Sequence, residues 1–210
     1  MIESVALGAI GANCYIITDD ESGDIAVIDP GAYNNRLSAQ LESRLGRVRL
    51  IMLTHGHFDH LLGVVRLAEL CPAAQICIHE ADVLGLSDGE FSRAAYFTHQ
   101  KQTPVQPHRL LRDDDCVALA DTAFTVVYTP GHTPGSVCYL WKAGGQDAAL
   151  FSGDTLFAGN IGRCDFPGGD MAAMRRSLAR LAALGDAAVY PGHGESTTLA
   201  HEREHNPWMC

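Results

Sequence analysis

The sequence contains no Cys-x-x-Cys pair, no stretch of ~20 apolar residues, and no basic N-terminal leader followed by an apolar run. The first absence removes the thiolate zinc and dithiol redox motifs. The other two lead to the expectation of a soluble, cytoplasmic protein with no membrane association. Positive charge is also scarce. Against 25 Asp and Glu stand 15 Lys and Arg, a formal net charge of −10, so binding to nucleic-acid phosphates is not expected. Seven cysteines (positions 14, 71, 77, 116, 138, 164 and 210) are odd in number and scattered. They read as small buried hydrophobes rather than disulfide partners. There is no fixed-period repeat, low-complexity tract or long Gly/Ser linker. With 47% apolar and 19% charged residues the chain is not disordered, and its length suits a single domain over residues 1–210.

What is present is a series of β-prone runs that end abruptly at ligand-type residues. Strands are expected at Ser4–Leu7, Cys14–Thr18 and Ile25–Ile28, the last stopped by Asp29-Pro30-Gly31. A helix over 34–45 is followed by a strand at Arg49–Leu53 that leads directly into Thr54-His55. Leu61–Leu70 reads as one helix with the histidine cluster in its first turn. A strand at Gln75–His79 and a short helix at Glu80–Leu86 come next, and then the polar segment 87–107, the best flap over a site. Four strand signals between 109 and 152 have no helix among them. Helices at Asp170–Leu184 and Ser196–Glu204 flank a last short strand at Val189–Tyr190. The order suits two sheets between helical layers better than a doubly wound parallel sheet.

Thr54-His55-Gly56-His57-Phe58-Asp59-His60 places four ligand-type residues within six positions. On an extended segment His55 and His57 share one side, while Asp59 and His60 open the helix and face elsewhere, a geometry suited to two adjacent metals. Three more candidates follow strands and are flanked by Gly or Pro: His132 in Pro-Gly-His-Thr-Pro-Gly, Asp154 in Ser-Gly-Asp-Thr, and His193 in Pro-Gly-His-Gly. Strand ends are where sites gather. Seven imidazole and carboxylate ligands exceed one tetrahedral ion, so two divalent ions are expected, zinc first, with iron or manganese compatible. Asp154 is the natural bridge. A pair of ions ~3.5–4 Å apart would share a hydroxide and polarise a substrate carbonyl or phosphoryl, with no serine or cysteine nucleophile.

Together, the strand ending at Asp29, the His-x-His-x-Asp-His motif, His132, Asp154 and His193 resemble the metallo-β-lactamase superfamily in order over nearly the whole chain. Within it, Gly153-Asp154-Thr155-Leu156-Phe157 with Gly159-Asn160-Ile161-Gly162-Arg163, and the Glu204-His205-Asn206-Pro207 ending, are similar to short bacterial hydroxyacylglutathione hydrolases of the glyoxalase II type. The resemblance implies a four-layer αββα sandwich. It gives His55, His57 and His132 to one metal, Asp59, His60 and His193 to the other, and Asp154 to both, with Asp59 and Asp154 the catalytic carboxylates. Asp29 would stand behind the ligands, and Arg163 would receive a glutathione carboxylate. The implied reaction is hydrolysis of S-(2-hydroxyacyl)glutathione or a similar small thioester by a metal-bridging hydroxide. Full-length glyoxalase II enzymes carry a further C-terminal helical region, where residues 170–207 supply at most two helices. The alternatives are a persulfide dioxygenase with one iron on His55, His132 and Asp154, a different class of reaction, or hydrolysis of a lactone, phosphodiester or other ester. β-Lactam hydrolysis is disfavoured, because Asp154 stands where many zinc lactamases have cysteine and His60 is additional.

Overall fold

The computed structural model describes residues 1–99, 101–142 and 148–209, so Cys210 lies outside the described residues. The chain forms two compact units, residues 1–111 with 119–121, and residues 112–118 with 122–210.

The first unit is built on a six-stranded sheet. Its strands β1 (Ile2–Leu7), β2 (Ala12–Thr18), β3 (Ile25–Ile28), β4 (Val48–Met52), β5 (Gln75–His79) and β6 (Arg109–Leu111) are paired in sequence order. The first two pairings are antiparallel and the remaining three parallel. All four residues of β3 are buried, as expected of a central strand covered on both faces. Helices α1 (Asn35–Leu41) and α3 (Val64–Leu70) lay Leu37, Leu41, Val64 and Leu67 on Ile16, Ile25, Val27, Ile51 and Ile76. Each such side chain, once fully buried, contributes about 1.5–3 kcal/mol.

Two expected helices are shorter than their patterns. The first ends at Leu41, and a 3-10 turn at Leu45–Arg47 leads into β4. The second is broken into α2 (Phe58–Leu61) and α3, because the Gly63 N–H turns away to the Pro30 carbonyl at 2.8 Å. Glu80–Leu86 is a 3-10 helix. Segment 87–107 holds one short helix, α4 (Ala94–Thr98), with Tyr96 and Phe97 exposed, but it is anchored by the buried side chains Ser92 and Gln102.

The second unit contains a six-stranded sheet in the order β14-β13-β10-β9-β8-β7. Its strands are β7 (Cys116–Leu119), β8 (Thr122–Tyr128), β9 (Val137–Lys142), β10 (Ala149–Gly153), β13 (Ala188–Pro191) and β14 (Thr197–Thr198). A small hairpin, β11 (Leu156–Phe157) with β12 (Asn160–Ile161), follows β10. Helix α5 (Met171–Ala182) sets Met174, Leu178 and Leu181 against Val127, Leu150 and Val189. Its start is fixed as the sequence suggests: the Asp170 carboxylate accepts the N–H groups of Ala172 and Ala173, which hold that carboxyl below the usual carboxylate range. Helix α6 (Leu199–His205) begins later than expected, because Thr197 and Thr198 are taken up by β14. The strand β6 and the hairpin β11–β12 were not evident in the sequence pattern.

Four described cysteines, 14, 71, 77 and 138, are buried, Cys116 is exposed and Cys164 is partly so, with no disulfide among them. Burial pushes the Cys77 and Cys138 thiols up to about 11. No helix among the described residues is long and apolar enough to cross a membrane.

Candidate metal centre

In the first unit, β3, β4 and β5 run parallel, so their C-terminal ends lie along one sheet edge. This is the edge at which parallel sheets hold ligands. Asp29 leaves β3 there, the His55–His60 segment leaves β4, and the chain after His79 leaves β5. Asp29 adopts a left-handed backbone (φ +52°), a conformation that a short polar side chain tolerates better than most. Its carboxylate then accepts the Thr54 N–H at 2.8 Å, the Thr54 hydroxyl at 2.6 Å and His60 Nδ1 at 2.9 Å.

These bonds fix the imidazole tautomers. A carboxylate only accepts, so the proton sits on His60 Nδ1 and the Nε2 lone pair faces outward from Asp29. The Thr54 hydroxyl spends its hydrogen on Asp29, so at 3.1 Å it accepts from His55 Nδ1, which leaves the His55 lone pair on Nε2. The short helix α2 folds His60 back toward His55, with ring centroids 4.2 Å apart, and the His57 ring stands perpendicular to His55 at 4.9 Å. His60 therefore does not face elsewhere as the extended-segment reading expects. His55, His57, Asp59 and His60 are all buried. Close backbone contact sets Asp59 as well: a Cβ on Gly31 would lie 1.6 Å from the Asp59 carbonyl oxygen.

In the second unit, β9 is antiparallel to both β8 and β10, and β13 is parallel to β10. The C-terminal ends of β8, β10 and β13 thus share one edge, and from these ends come His132, Asp154 and His193. His132 Nδ1 donates to the Arg163 carbonyl at 2.7 Å, leaving its Nε2 lone pair 3.5 Å from Asp154 Oδ2. His193 Nε2 is 3.6 Å from the same oxygen. A Cβ on Gly162 would meet the Asp154 carbonyl at 1.8 Å, the counterpart of Gly31 on Asp59. The Arg163 guanidinium is exposed, bidentate on Asp165 at 2.7 Å and 2.7 Å, and stacked 3.8 Å over Phe166. The role this site gives Arg163 through its backbone, as the acceptor for His132, carries no sequence signal.

The donor set fits a divalent ion. In the first unit His60 Nε2 is 3.3 Å from Asp59 Oδ2, and the second unit repeats such pairs at 3.5 and 3.6 Å. As a neutral imidazole with its proton on Nδ1, His60 turns a lone pair toward a carboxylate oxygen, an unfavourable pairing that a bound cation, a metal ion or a second proton, relieves. Ligands about 2.0–2.2 Å from one tetrahedral ion are about 3.3–3.6 Å from each other. Ligand atoms of Asp29, His55 and His60 also lie within 4.8 Å of one another, but Asp29 is committed to hydrogen bonds and serves as their support. Buried Asp82, which follows β5 on the same edge, was missed in the sequence, because no Gly or Pro sits beside it as one does beside the other strand-end candidates.

A sequence profile of the metallo-beta-lactamase superfamily matches residues 7–193. A protein of Haemophilus influenzae named hydroxyacylglutathione hydrolase GloC is 31% identical, over 99% of this chain and 97% of its own length. Among solved structures, BLEG-1 B3 metallo-beta-lactamase is similar at a TM-score of 0.90 and 31% identity, covering 100% of this chain and 99% of that one. TTHA1623 in a di-iron-bound form is similar at 0.82 and 36%, covering 98% and 99%. These likenesses carry the expected fold, and the short length is shared with the Haemophilus relative.

Proposed function

The chain belongs to the metallo-beta-lactamase superfamily, and from that premise we propose that it is a dinuclear metal-dependent thioesterase acting on S-(2-hydroxyacyl)glutathione or a similar small thioester. The observation that carries the metal half of the proposal is the three imidazole–carboxylate pairs at 3.3–3.6 Å, one in the first unit and two in the second. The full-length likeness to a protein named hydroxyacylglutathione hydrolase supports the substrate half.

In this reading His55, His57, His132, Asp59, His60, His193 and Asp154 serve one pair of ions, the assignment that the family resemblance implies, with zinc the first choice. The ions, when bound, supply hydroxide at neutral pH and an electrophile for the thioester carbonyl. The chain's own contribution is orientation. Asp29 and Thr54 hold His60 and His55 with Nε2 available to metal, and the Arg163 carbonyl does the same for His132. Donating the Nδ1 hydrogen to an acceptor both fixes the tautomer and raises the basicity of Nε2 as a ligand. Asp165 takes the Nε–Nη2 edge of the Arg163 guanidinium, so a substrate carboxylate would bind at the Nη1–Nη2 edge.

The test is hydrolysis of S-D-lactoylglutathione by the zinc-loaded protein and by Asp154→Ala. Turnover by the parent and its loss in the variant are expected, and equal activity in both overturns the assignment of Asp154. Similarity to BLEG-1 over the whole chain favours β-lactam hydrolysis as a second reading. Turnover of a β-lactam without turnover of the thioester would put that reading first, and oxygen uptake with glutathione persulfide at one iron per chain would replace both with oxygenation.

A further inference from the structure

We propose that Asp82 is a positioning residue for the metal ligands: it fixes the backbone between His55 and His57 and so sets how tightly the first unit holds metal. The inference rests on the metal reading above but not on the choice of substrate.

Asp82 has no solvent exposure. Its Oδ2 accepts the Gly56 N–H at 2.7 Å, and Gly56 is the residue between the two histidines. A bond from a backbone N–H to a buried carboxylate is among the stronger hydrogen bonds a protein makes, and it costs most when one partner is removed and the other stays buried.

The bond belongs to a closed brace. Gly85, one turn beyond Asp82, packs directly on Gly56: a Cβ on Gly85 would lie 2.5 Å from the Gly56 carbonyl oxygen and 2.6 Å from its Cα. The Gly85 carbonyl accepts from Gln102 Nε2 at 2.6 Å, and Gln102 Oε1 accepts from the Ser92 hydroxyl at 2.5 Å. The Ser92 carbonyl in turn accepts the Phe58 N–H at 2.8 Å. Gly56 and Phe58, the residues on either side of His57, are thereby both held by Asp82, Gly85, Ser92 and Gln102. The ligand turn has little regular structure of its own to do this, since β4 ends at Met52 and α2 starts only at Phe58. The buried ends of the expected flap thus serve as a brace.

Asp82 touches no reacting atom in this account, so its effect must appear in metal binding without substrate. The experiment is competition for zinc against a chelator with the parent, Asp82→Ala and Asp82→Asn, with thermal melting and amide exchange at Gly56 measured alongside. Loss of a partner that orients a ligand costs about 10–100-fold in metal affinity. That loss is expected for Asp82→Ala, and Asp82→Asn, which keeps an accepting oxygen but gives up the charge that strengthens the bond to the Gly56 N–H, should show a smaller loss of the same kind. A lower melting temperature at unchanged zinc affinity would reduce Asp82 to a structural role and overturn the proposal. Should Asp82→Ala fail to fold, the parent and Asp82→Asn decide it. Slow Gly56 exchange that quickens in Asp82→Asn together with weaker zinc binding supports the brace, and fast exchange in the parent contradicts it. If zinc affinity falls as expected but no thioester is hydrolysed, the brace stands and the substrate reading fails.

Discussion

The first unit draws its candidate ligands from one contiguous turn after β4, whereas the second takes His132, Asp154 and His193 from the ends of three different strands. The consequence is a difference in how the ligands are held. A contiguous turn has to be supported from outside, and the first unit uses side chains for this: Asp29 on His60 and Thr54, and Asp82 on Gly56. A set spread over three strands is already spaced by sheet pairing, so backbone groups suffice, as with the Arg163 carbonyl on His132. Both units share one device, a glycine pressed against the carbonyl of a candidate ligand aspartate.

The shared device gives the largest expected effect. Gly31→Ala and Gly162→Ala each force a methyl group into a backbone oxygen that no side-chain rotation can relieve. Overpacking of this kind costs about 1–3 kcal/mol or more. Both variants should melt lower, in the apo as well as the loaded protein, and wild-type melting by either would show that the aspartate turn relaxes freely. The contrast between side-chain and backbone support comes next. Asp29→Ala should weaken zinc binding by about 10–100-fold, while Arg163→Ala, which keeps the carbonyl, should leave zinc affinity unchanged. Equal losses in a chelator titration would erase the distinction between the units. The smallest effect concerns the buried thiols, Cys77 in the first unit and Cys138 in the second, whose pKa burial raises alike. With pKa raised to about 11, Cys77 and Cys138 are thiolate in only about one part per thousand at pH 8, and the fraction rises with pH. Brief alkylation of the folded protein at pH 8, read by peptide mass, should therefore label Cys116 and spare Cys14, Cys77 and Cys138.

The candidate ligand positions stand out in the sequence because each follows the end of an apolar run: a strand stops, a Gly or Pro bends the chain, and His or Asp residues are left at the sheet edge. The strands that deliver them, β3, β4, β8, β10 and β13, were legible for the same reason. The interruption at Leu62-Gly63 was not. Leu61–Leu70 has the composition of one helix, and the carbonyl that breaks it belongs to Pro30, more than thirty residues earlier. Asp82 was missed because its partner is a backbone N–H 26 residues away, and His132's partner is a carbonyl that any residue at position 163 would offer. The strand β6 has three residues, too few for a period-two pattern to show. What sequence carries poorly here is support between elements, whereas local strand-to-ligand punctuation is plain.

The account stands most directly on metal content. Elemental analysis of the protein purified without added metal, then after zinc loading and desalting, should approach two ions per chain in the loaded form, and Asp154→Ala should hold fewer. A loaded protein with no bound metal, or a variant that retains both ions, would contradict it.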